Sequence, residues 1–170
     1  MNRTFLSRII EASTRLAELL MLAMMALITI EIVCRSFLGF SLLLVDEVAG
    51  YMLVAILFLG ITTSFRSGSL LRVEFVINRL SARAQLWLDA VFDLIGFGFV
   101  AILDHALINF VLSTFERDMR APTLLGTPLY LPQAVMPVGA TLLAVALLAS
   151  TIDKVWRACT GRIPAETGTG

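Results

Sequence analysis

The sequence predicts an all-α integral membrane protein with four transmembrane helices, and three observations carry that prediction. Of 170 residues, 58% are hydrophobic and only 15% are charged, with a mean hydropathy of +0.90. Soluble domains are about 45–50% apolar and about 25% charged, so this excess cannot be packed around one water-soluble core. Second, four stretches, 16–37, 48–65, 86–112 and 130–152, approach or exceed the roughly 20 apolar residues that a helix needs to cross hydrocarbon about 30 Å thick. Third, Leu, Ala, Met and Ile run through these stretches without an alternating polar face, which suits helices and not barrel strands. The chain, 1–170, therefore reads as a single four-helix membrane domain.

Each element has its own justification. The first stretch is too long for a signal peptide, and no A-x-A-like cleavage site follows it, so it reads as a mature span. Orientation follows from the cations, which are costly to translocate. Arg3, Arg8 and Arg15 precede the first span, Arg66, Arg72, Arg79 and Arg83 join the second to the third, and Lys154, Arg157 and Arg162 follow the fourth. Only Arg35, Arg117 and Arg120 fall on the other side. This bias predicts that both termini are cytoplasmic. Cys34 then lies near the outer face and Cys159 at the inner one, too far apart to pair.

The connections are also patterned. Between the second and third spans, Val73, Val76, Ile77 and Leu80 recur at helical spacing, while Arg72, Asn78 and Arg79 fall mostly on the other face. The expectation is a short amphipathic segment over 70–81, lying in the headgroup layer with its arginines toward anionic lipid. The alternative is an ordinary cytoplasmic loop. The N-terminal arm repeats the pattern more weakly, or simply extends the first helix. The outer connection, 116–131, carries Pro122, Gly126 and Pro128, with Pro132, Pro137 and Gly139 following. Each proline fixes φ and removes a backbone donor, so an ordered, non-helical lead-in is expected. Pro132 suits a first helical turn, whereas Pro137 would kink the fourth helix unless it too lies at the start. The tail after Trp156 reads as a frayed end.

Ionisable residues inside spans are costly, about 2.5–3.5 kcal/mol each at mid-depth on insertion scales. The first span holds Glu31 and Arg35, acid first and four apart, the favourable order for an intrahelical pair. The third holds Asp104, His105 and, one turn on, Asn109. Counting along the spans puts Glu31 and Asp104 at similar depth, with Arg35 within reach of both. One reading is a proton or cation relay. The favoured one is a neutralised network that fixes packing or faces a partner, because a fixed cation opposes proton exchange near neutral pH. Asp89 and Asp93 lie nearer the cytoplasmic end, and Asp46 and Glu47 at the outer mouth of the second span.

No chemistry beyond this is signalled. The net charge of zero gives no pointer to nucleic acid. One His and two Cys argue against a multi-ligand metal site or a disulfide framework. There is no phosphate loop, no cofactor motif, and no nucleophile with an adjacent base, so nothing suggests an enzyme.

Four features in order resemble the small membrane subunit of tripartite ATP-independent periplasmic (TRAP) transporters. They are Glu31-Ile-Val-Cys-Arg35 at the end of the first span; Asp46-Glu47 and Phe58-Leu-Gly60 in the second; Arg66-Ser-Gly68-Ser-Leu-Leu-Arg72-Val-Glu74 after it; and Pro122-Thr-Leu-Leu-Gly126-Thr-Pro128-Leu-Tyr-Leu-Pro132, then Pro137 and Gly139, before the fourth. Leu70 stands where the family usually has His, Glu74 where it has Asp, and no Trp occurs in the second span. The resemblance implies a scaffold subunit in the bacterial inner membrane. It would brace a large multi-span permease subunit on a separate chain and help dock a periplasmic substrate-binding protein. The assembly would be a sodium-driven importer of a small organic acid, either a carboxylate or a sugar acid. The rival reading is a self-sufficient four-span proton-coupled antiporter, a homodimer working through Glu31.

Overall fold

The computed structural model describes residues 3–66, 82–123 and 125–160. Helix α1 (Arg3–Val33) runs on into a π-helical turn over Cys34–Leu38. Helices α2 (Val45–Arg66) and α3 (Ala82–Glu116) follow, then a single-turn helix α4 (Tyr130–Gln133) and finally α5 (Val135–Thr160). Ser7–Leu38, Val45–Phe65, Ala84–Glu116 and Tyr130–Thr160 are each long and apolar enough to cross a membrane. The four-span, all-helical expectation is met. The amphipathic segment expected over 70–81, with Arg72, Glu74 and Arg79, lies outside the described residues.

The helices outrun their apolar stretches, because a charged side chain ends a hydropathy run without ending backbone hydrogen bonding. Before the first apolar stretch, Arg15 pairs with Glu11 one turn earlier at 2.7 Å. After the fourth, Arg157 pairs with Asp153 at 2.6 Å. Such i,i+4 pairs support a helix rather than fray it. The end expected to fray after Trp156 is therefore helical to Thr160, and the N-terminal arm extends α1 from Arg3.

Two turns and the proline-rich lead-in define one end of the bundle, called here the turn end. Gly39 follows the π-helical turn with φ 73°, a left-handed conformation that stops the helix and is open to glycine without a Cβ penalty. At the end of α3, Asp118 takes the same role with φ 44°. Its N–H donates to the Phe115 carbonyl at 3.1 Å, and the Met119 N–H reaches back to Thr114 at 3.2 Å. These are the two bonds of a Schellman cap. Beyond it the chain doubles back, the Ala121 N–H donating to Thr127 and the Leu129 N–H to Met119, both at 3.0 Å. Pro132 and Pro137 are each the third residue of their helix. At that position the missing N–H has no intrahelical carbonyl to reach, so the chain starts twice and is not kinked mid-span.

The four long helices pack as α1 on α2, α2 on α5, and α5 on α3. Helix α5 is thus interior and the most buried of the four. Ala140, Leu143, Ala144 and Leu147 of α5 close on Val100 of α3, with Phe65, Phe97 and Leu107 packed around them. Contact with α2 is closest at Gly139, where an added Cβ would fall within 2.7 Å of Phe58 backbone and Cβ atoms. With no solvent to drive helices together, close approach over small residues supplies the packing energy in a membrane. Gly139→Ala should therefore cost about 1–3 kcal/mol through overpacking. Gly98→Ala, where nothing lies within 4 Å, should be neutral or stabilise α3 by up to about 1 kcal/mol. Thermal unfolding of the two variants in detergent measures this contrast.

Candidate functional site

Polar side chains of the bundle gather into separate groups. At the turn end Glu31 is buried, its side chain 8% exposed, while its partner Arg35 is 62% exposed. The carboxylate accepts from Arg35 Nη2 at 2.8 Å and Nε at 3.2 Å, from the Ser41 hydroxyl at 2.6 Å and from the Leu42 N–H at 2.8 Å. Arg35 also donates to Ser41 Oγ at 3.0 Å. The last turn of α1 thereby holds the whole 34–44 connection, and the i,i+4 order read from sequence is the order found.

Glu47, in the first turn of α2, does the same for the other connection. It accepts from the Tyr51 hydroxyl at 2.7 Å and from the Thr123 hydroxyl of the proline-rich lead-in. Next to this clamp, Phe115 of α3 meets Tyr130 edge to face, with ring centroids 5.1 Å apart. Within the lead-in, Gly126 is at φ 56° and Pro128 bridges to Arg120. Pro122 is exposed beside Thr123.

Asp104, His105 and Asn109 do not join Glu31 and Arg35. The Thr141 hydroxyl of α5 donates to Asp104 Oδ2 at 2.8 Å, and Asn109 Nδ2 lies 3.1 Å from His105 Nε2. Helices α1 and α3 are at opposite ends of the packing order, with α2 and α5 between. Register separates the groups along the bundle as well. Thr141 is half a turn beyond Gly139, which faces Phe58, so Asp104 is level with about Gly60. Glu31 is level with the first turn of α2, about four helical turns or roughly 20 Å away. Counting within apolar stretches misplaced the two because the α3 helix continues to Glu116 while regular α1 ends at Val33.

Sequence reasoning missed a further group, at the opposite end from the turns. Lys154 of α5 bonds Asp93 Oδ2 at 2.6 Å and lies 4.0 Å from Asp89 Oδ2. The Ser150 hydroxyl donates to Asp93 Oδ2 at 2.6 Å. All three charged side chains are at most 20% exposed. The signal was present as two i,i+4 pairs, Asp89 with Asp93 and Ser150 with Lys154, on spans expected to be antiparallel. Lys154 was instead counted as a tail charge. Elsewhere, Thr14 and Thr63 hydroxyls bond each other between α1 and α2.

Compared with known families, residues 24–157 match the model for tripartite ATP-independent periplasmic transporters, DctQ component. The chain belongs to this family. DctQ is a family of transporter components, not of enzymes, and the four apolar helices make this member a multi-pass membrane protein. No curated protein matches the sequence. The DctQ match spans both pinned turns, the Gly139 contact and the Asp93–Lys154 pair, leaving Thr14 and the start of α1 outside it.

Breaking a buried ion pair costs more than the pair contributes, because one charge is left uncompensated. Lys154→Met in this DctQ subunit should therefore destabilise it by about 3–5 kcal/mol. Asp93→Asn combined with Lys154→Met should recover most of that loss. Unfolding of both variants and wild type in detergent tests the coupling, and equal losses in single and double variants would disprove it.

Proposed function

We propose that this DctQ subunit is a static scaffold for a sodium-driven, binding-protein-dependent importer of a small organic acid. It sits in the bacterial inner membrane with both termini cytoplasmic, braces the large permease subunit, and offers its turn end to the periplasmic binding protein. The observation that carries the scaffold reading is the saturation of Glu31 and Asp93. Glu31 receives four hydrogen bonds from Arg35, Ser41 and Leu42, and Asp93 is held by Lys154 and Ser150. A carboxylate engaged in this way secures a turn or a helix pair. A coupling carboxylate must instead exchange its proton or cation during turnover, and Glu31, through which the antiporter reading works, is committed to four hydrogen bonds.

Glu31→Gln separates the two. In a scaffold it should leave substrate uptake within about twofold once the complex is assembled, since Gln keeps its carbonyl oxygen for the Leu42 N–H and its amide can donate to Ser41 Oγ. Abolished uptake by a fully assembled complex would reject the scaffold. Orientation has its own test in a Cys34→Ser background. A cysteine introduced by Arg117→Cys should react with a membrane-impermeant maleimide in spheroplasts, and Cys159 only after permeabilisation. The reverse pattern would invert the topology.

A further inference from the structure

We infer that the face of α3 bearing His105 and Asn109, with Asp104 at its edge toward α5, is the surface on which the large permease subunit packs. This rests on the scaffold reading and adds where the brace is applied. His105 and Asn109 are both exposed in the middle of an apolar span, between exposed Ile102, Ile108 and Leu112. They bond each other, Nδ2 to Nε2 at 3.1 Å, but the second imidazole nitrogen and the Asn109 carbonyl oxygen have no partner among the described residues. Asp104, at the edge toward α5, differs, because its free oxygen is enclosed by this chain and faces no outside neighbour. Oδ2 is held by Thr141, while Oδ1 is buried from solvent and receives no hydrogen bond.

Hydrocarbon offers no partner to such groups, so polar side chains on a span face other helices or a cavity rather than lipid. The other helices of this chain do not cover this face, because α3 lies at the edge of the packing order and only its α5 side is occupied. The groups left over, the N–H of the second His105 ring nitrogen and the Asn109 carbonyl oxygen, call for polar side chains on a neighbouring span. A span of different sequence can present a Lys, Arg, Ser or Asn there, and the large permease subunit of the proposed assembly is the partner that brings one. The opposite edge, on α1, exposes Leu19, Met21, Leu22 and Met25, with exposed Glu18 before them and Thr29, whose hydroxyl bonds the Met25 carbonyl, after them.

The test uses the two membrane subunits expressed together, the small one tagged. His105→Leu with Asn109→Leu removes the polar groups from an exposed face and should leave the subunit's own thermal stability unchanged. Recovery of the large subunit should fall at least tenfold. A photoreactive amino acid in place of Asn109 should cross-link to the large subunit, and one in place of Met25 should not. If wild type retains the large subunit and the double variant retains it equally, the inference is wrong while the scaffold reading stands. Cross-links from position 109 to lipid alone or to a second copy overturn it in the same way. If wild type retains no large subunit at all, the scaffold reading fails and the inference with it.

Discussion

A carboxylate in hydrocarbon has no water to turn to, and that constraint organises this protein more than any single apolar contact. Burying an ionised group without partners costs far more than a helix pair gains. The acids at the two ends of the bundle are therefore bound locally. Glu31 closes on Arg35, Ser41 and Leu42, Glu47 on Tyr51 and Thr123, and Asp93 on Lys154 and Ser150. The first two lie at the ends of spans, where they fix how the chain turns. The third ties α3 to α5 where those helices leave the apolar belt. Polar groups thus set the ends of the bundle, and apolar packing fills the length between them.

The interior follows a different rule. Helix α5 carries the small residues Gly139, Ala140 and Ala144 on buried positions, which lets α2 and α3 approach it closely. Because lipid chains are as apolar as leucine, this close fit, and not hydrophobic burial, holds the helices together. It also explains why α5 must start cleanly. The double start at Tyr130 and Val135 places both prolines where no intrahelical donor is lost, and Gly139 then falls one turn into a straight helix against Phe58.

The sequence by itself determined the number of spans, their helical nature, the Glu31–Arg35 pair and the ordered proline lead-in. All of these rest on local physics: apolar run length, the i,i+4 spacing, and the backbone limits of proline. Its four short motifs also pointed to the DctQ family that the match over residues 24–157 establishes. Tertiary structure alone decided the rest. Which helix is interior cannot be read from hydropathy, because lipid and protein neighbours look equally apolar. Depth along the bundle depends on how far each helix outruns its apolar run, so Asp104 and Glu31 are four turns apart despite similar counts. Asp93 and Lys154 meet only because α3 and α5 are antiparallel neighbours in one register, a relation between distant segments that the i,i+4 pairs on each span suggest but do not fix.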